Sequence, residues 1–113
     1  MIDMNPTIVT ELKKIGLPVI AENFISPATI FPCISYMEYS NRDTLTGNTL
    51  EYSELITIVK VWDKSLKVLM DNSKLIDIKM KVLGYKRDFG SLLFSDGIGS
   101  YILRYKGLGF ETK

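Results

Sequence analysis

The chain has 113 residues, the length of one ordinary domain, and its 46% apolar and 24% charged composition is that of a folded globular protein rather than a disordered one. Lys and Arg number 14 against 13 Asp and Glu, and the resulting charge of +1 excludes strong nonspecific attraction to nucleic acid or an anionic membrane. With no histidine and a single cysteine, Cys33, imidazole catalysis, an internal disulfide and the usual zinc ligand sets are excluded too.

The first element in chain order is a short amphipathic helix. Asn5-Pro6 reads as an N-cap followed by proline at the first helical position, where no amide hydrogen is needed. Ile8, Leu12 and Ile15 then share one face, Gly16 is a natural stop, and Pro18 prevents resumption. The stripe needs a partner surface, and a sheet is the only large candidate. Leu17 to Phe31 reads as mostly irregular, with Val19-Ile20 as a brief edge strand and Ser26 to Thr29 as a connector. The opening MIDMNPT lacks the charged-then-apolar layout of a secretory signal, and no apolar run approaches the ~18 residues of a membrane span.

Phe31 to Ser40 (FPCISYMEYS) is rich in aromatic and β-branched residues and reads as a strand opened by Pro32. Asn41 to Asn48 (NRDTLTGN) reads as a polar loop turning at Gly47-Asn48, so the strands on either side form an antiparallel hairpin. That loop is longer than closure requires. Its Arg42, Asp43, Thr44, Leu45 and Thr46 are therefore candidate contact residues, with an ordinary hairpin tip as the plain alternative.

The stretch from Leu50 to Leu83 organises the rest: a long strand that feeds directly into a long helix. Tyr52, Glu54, Ile56, Ile58, Lys60 and Trp62 fall on one strand face and Ser53, Leu55, Thr57, Val59 and Val61 on the other, so both faces are apolar through the middle. Such a strand is either covered by helices on both sides or presents one face to another subunit. With only two helices in the chain, the second alternative is favoured, making Tyr52, Ile56, Ile58 and Trp62 candidate interface residues. Trp62 alternatively anchors the following helix. After Asp63-Lys64-Ser65 the helix places Leu66, Leu69, Ser73, Ile76, Met80 and Leu83 on one face and Lys67, Asp71, Lys74, Asp77 and Lys81 on the polar side, with Asp77 and Lys81 spaced for an ion pair.

Beyond Gly84, Asp96-Gly97 between two strand-like runs is a hairpin cue, and Gly107 and Gly109 are expected to end or bulge the last strand. The expected fold is a single α/β domain of the α+β type over residues 1–113. It has a mainly antiparallel sheet of about four or five strands and two helices packed on one face.

Chemistry is hard to find. The carboxylates are scattered, and Glu51 and Glu54 point to opposite strand faces. Cys33 lacks an imidazole partner and reads as a small core residue. Gly97-Ile98-Gly99 and Gly107-Leu108-Gly109 do not precede a helix that could offer its amides to phosphate. No catalytic, cofactor or metal site is therefore expected, and the weight moves from enzyme to assembly or binding protein.

FPCISYMEYSN, EYSELITIVKVWDKS, the helix into LGYKRDF, the Asp-Gly hairpin and ILRYKG together resemble the tail terminator or tail completion family of long-tailed bacteriophages, prophages and phage-derived bacteriocins. The resemblance runs from Phe31 to Phe110 and is carried by Phe31-Pro32, Val61 to Ser65 (VWDKS), Gly84-Tyr85-Lys86-Arg87 and Arg104-Tyr105. It implies a structural virion subunit whose copies form a ring, commonly a hexamer. The ring would cap the tail-tube protein, meet the head-tail connector, and meet the sheath where the tail contracts. DNA would pass through without sequence readout, and assembly would take place in the bacterial cytoplasm. Two rival readings are a neighbouring stopper-like connector or minor tail protein, and a single-strand nucleic-acid-binding module using Tyr85, Phe89, Tyr101 and Tyr105 as a stacking platform.

Overall fold

A computed structural model describes residues 5–22, 31–46 and 49–109, with side chains over 6–22, 31–38 and 55–107. Helix α1 (Asn5–Lys13) ends where Gly16 takes a positive φ of 98°. Strand β1 (Val19–Ala21) follows Pro18 and runs parallel to β2 (Cys33–Thr46), which begins after a cis Phe31-Pro32 peptide. Strand β3 (Thr49–Asp63) pairs with β2 and leads into α2 (Leu66–Val82). Strands β4 (Lys86–Ser95) and β5 (Ile98–Gly109) close the chain as a hairpin.

Local chemistry fixes these boundaries. The Ser65 hydroxyl caps α2 by accepting from the Val68 amide at 3.4 Å, while the Ser65 amide donates to the Asp63 carboxylate at 3.1 Å. At the other end the Gly84 and Tyr85 amides donate to the Lys81 and Met80 carbonyls, both at 3.0 Å. Gly84 itself sits at φ +88°, the left-handed turn that closes a helix while satisfying its last carbonyls. In the β4–β5 turn Asp96 and Gly97 both have positive φ, 54° and 78°, the backbone twist that a two-residue hairpin requires.

The sheet order is β1-β2-β3-β5-β4, so β5 inserts between β3 and β4 and the chain must cross over through α2. Both helices pack on one side. Ile8 and Leu12 of α1 and Leu69, Ile76 and Met80 of α2 meet Ile34, Leu55, Val59, Val61, Leu103 and Tyr105 of the sheet, all essentially without exposure. The fold is the expected α+β arrangement, a single domain with five strands among the described residues, antiparallel except at β1.

Four details differ from the sequence reading. Residues 41–46 are not a loop: β2 continues to Thr46, with Arg42 opposite Glu54 and Thr46 opposite Thr49. The apolar-polar pattern breaks there, but the backbone ladder continues, because pairing needs only main-chain groups once a partner strand is alongside. Gly107 neither ends nor bulges β5, since it stays in the ladder opposite Leu55, and the strand runs on to Gly109 opposite Ser53. Gly107 is required for packing, as a Cβ there would stand 2.8 Å from the Tyr85 ring. Leu66 is 52% exposed rather than buried. Asp77 keeps some exposure but does not pair with Lys81: its carboxylate accepts from the Tyr105 hydroxyl at 2.5 Å and lies 3.4 Å from Arg87.

Candidate interface surfaces

The strand alternation of β3 decides which surface is available. Leu55, Thr57, Val59 and Val61 point at the helices and are buried, whereas Ile56, Ile58, Lys60 and Trp62 point away and are only partly covered. Register extends this helix-free face across the sheet. Ile58 lies between Met37 of β2 and Arg104 of β5, Ile56 is opposite Lys106, and Lys60 is opposite Ile102. Met37 is 37% exposed, and Phe89, opposite Arg104 on β4, is 49% exposed. Arg104 binds Asp88 with two hydrogen bonds, at 3.0 and 3.3 Å, and its guanidinium lies 5.6 Å from the Phe89 ring. Those bonds hold the Asp88 carboxyl below the ordinary carboxylate range.

At its Trp62 end the same face is closed by polar side chains. Glu22, just past β1, accepts from the Ser35 hydroxyl and from the Lys60 ammonium, the latter at 2.7 Å. Trp62 Nε1 donates to Ser35 Oγ at 2.9 Å, and the Lys60 ammonium sits 5.6 Å from the Trp62 ring. Ser35 and Cys33 beneath this cluster are fully buried. Trp62 therefore does not anchor α2; it roofs β2 on the opposite side of the sheet. Sequence inspection missed this cluster, because Glu22 is 13 positions from Ser35 and 38 from Lys60, and no motif links residues so spaced.

Burial, and secondarily the Glu22 charge, pushes the Cys33 thiol up to about 11. Cys33 should therefore resist alkylation in the native protein at neutral pH and react fully on denaturation, as mass spectrometry of iodoacetamide-treated samples would show. Rapid native labelling would mean that the Glu22–Ser35–Trp62 roof opens readily.

Along the backbone the named interface residues fall into two stretches. Ile56, Ile58 and Trp62 share the helix-free face, with Trp62 committed to Ser35. Arg42, Asp43, Thr44, Leu45, Thr46 and Tyr52 lie on the paired backbone of the β2–β3 ribbon; their side chains are outside the described residues. Described pairing of β3 with β5 stops at Ser53, so Thr44–Thr46 and Thr49–Tyr52 continue past it as two strands. The four aromatic residues considered for base stacking are also separated. Tyr85 and Tyr105 are buried in the core, Tyr101 packs against it, and Phe89 lies on the opposite face.

A concavity of about 410 Å³ lies on the helix side, lined by Asp77, Lys81, Tyr85, Lys86, Arg87 and Tyr105. Burial and the Asp77 carboxylate push the Tyr105 phenol far above its ordinary value, so it is a permanent donor to Asp77. Burial likewise raises Tyr85. Thr57 stands close enough to temper that shift, but no atom meets hydrogen-bond geometry with the Tyr85 hydroxyl. Among the described residues no three potential ligands cluster for a metal, and no helix is long and apolar enough to cross a membrane. No protein-family model and no curated protein sequence matches the chain.

Proposed function

We infer that the chain is a ring-forming structural subunit of a phage-type tail, a terminator or completion protein that caps the tail tube and offers the head-joining surface. One observation carries the reading beyond resemblance: among the described residues, helices shelter one side of the sheet and not the other. On the other side Met37, Ile56, Ile58 and Ile102 spread across three adjacent strands without a covering element among the described residues. A monomer leaves that partly covered apolar surface in contact with water. Packing against neighbouring copies removes it, and a stable contact needs about 800 Å² per partner, which a sheet face plus the β2–β3 ribbon can supply. The near-zero net charge suits a ring through which DNA must pass without being held.

The test combines the purified chain with its cognate tail-tube protein and follows light scattering and negative-stain electron microscopy. Tubes should stop growing and carry a ring at one end. A monomer in isolation is compatible with a ring that assembles only on the tube. A chain that neither forms rings nor binds tube ends overturns the reading.

A further inference from the structure

Strand β4 is one outer edge of the sheet. Its inner side pairs with β5 from Lys86 to Ser95, and among the described residues no strand pairs its outer side. It also exposes four large apolar side chains: Phe89 at 49%, Leu92 at 38%, Leu93 at 56% and Phe94 at 50%. Edge strands are ordinarily guarded by charge, proline or a bulge. The first half of β4 has such guards, in Lys86, Arg87 and Asp88 and the register shift between Arg87 and Phe89. Ser91 to Ser95 has none. The opposite edge, β1, is three residues long, begins after Pro18 and ends before Glu22, so it is a poor complement for a ten-residue strand.

We propose that β4 pairs antiparallel with β4 of a second copy, about a two-fold axis through Leu93, joining two sheets into one. That axis sets Leu93 opposite the partner's Leu93, Leu92 opposite the partner's Phe94, and Ser91 opposite the partner's Ser95. These are the apolar and hydroxyl cross-strand pairs that stabilise a ladder. Neighbouring registers are worse. An axis through Leu92 opposes Asp88 to the partner's Asp96, and an axis through Ser91 opposes Phe94 to the partner's Asp88. The axis lies perpendicular to the sheet, so the helices of both copies stay on one side.

Area makes this dimer a weak one. A phenylalanine buries ~150–250 Å², so two half-exposed rings and two leucines contribute less than the ~800 Å² per partner of a tight complex. The pairing therefore depends on concentration. It does not rest on the tail reading, because it concerns the chain in solution whether or not a ring forms later.

Sedimentation velocity on the full chain over a wide concentration range is the test. Dimer should grow with concentration, and Leu93→Lys, which sets two ammonium groups against each other at the axis, should weaken it by ~10-fold or more. Val82→Lys, on the 69% exposed outer face of α2, should leave it unchanged. Leu93→Cys should oxidise to a linked dimer, because opposed residues in antiparallel strands have Cα atoms about 4.5–5.5 Å apart, within disulfide range. A monomer at every concentration with no such cross-link overturns the proposal, as does a dimer that survives Leu93→Lys or dissolves on Val82→Lys.

Discussion

Leu103→Ala should remove about 2–5 kcal/mol of stability, with the upper half of that range expected. Leu103 is fully buried at the middle of β5, opposite Val59 on one side and Gly90 on the other. A cavity costs least when neighbours collapse into it, and Gly90 has no side chain with which to do so. Against a total stability of about 5–15 kcal/mol for a domain, the loss is large. Urea unfolding followed by circular dichroism should show a lowered midpoint with an unchanged slope. Gly90 supplies an internal check. A Cβ there would stand 3.7 Å from Leu103 and 3.3 Å from the Tyr101 ring, a tight fit in the native chain. Gly90→Ala should therefore be better tolerated beside Leu103→Ala than alone, a coupling that a double-mutant cycle measures. Additive effects would show that the two positions do not share the cavity.

The chain wrote its fold plainly where a local signal was enough. Ser65 and Gly84 bracket α2 because a hydroxyl cap and a left-handed glycine act within one turn of the residues they punctuate. Asp96-Gly97 marked the second hairpin for the same reason. The boundaries that escaped depend on partners distant in sequence. Residues 41–46 look like a loop because their side chains are polar, yet β3 holds their backbone in register. Asp77 and Lys81 are spaced as a helical pair, but the carboxylate goes to Tyr105 and Arg87, which α2 meets only after the chain has crossed the sheet.

The candidate surfaces follow the same division. The two apolar faces of β3 could be read from period-two alternation alone, and with two short-range helix signals that reading implied one face without a helix. The polar roof over Cys33 could not be read, since Glu22, Ser35, Lys60 and Trp62 come from two strands and the end of a third. Nor could the edge position of β4, because strand order is a property of the whole sheet: β5 enters between β3 and β4, leaving a strand with four exposed apolar side chains outermost.

Two adjacent residues of β3 separate folding from assembly. Val59 is fully buried between Tyr36 and Leu103, whereas Ile58 lies on the helix-free face between Met37 and Arg104. Val59→Glu should leave little folded protein, since an acid placed there must be neutralised or carry a burial penalty of several kcal/mol, a large part of the total. Ile58→Glu should cost far less, about 1 kcal/mol, because the position is only partly covered and the new carboxylate has Arg104 opposite. If the helix-free face joins copies of the chain, however, each interface gains an acid in its apolar centre. Ring formation and tube capping should then be lost in a variant whose unfolding curve is nearly that of the parent. Unimpaired capping by Ile58→Glu would remove this face from the assembly and with it the main structural support for the ring. Unfolding of Ile58→Glu would instead mean that the face is covered within the monomer.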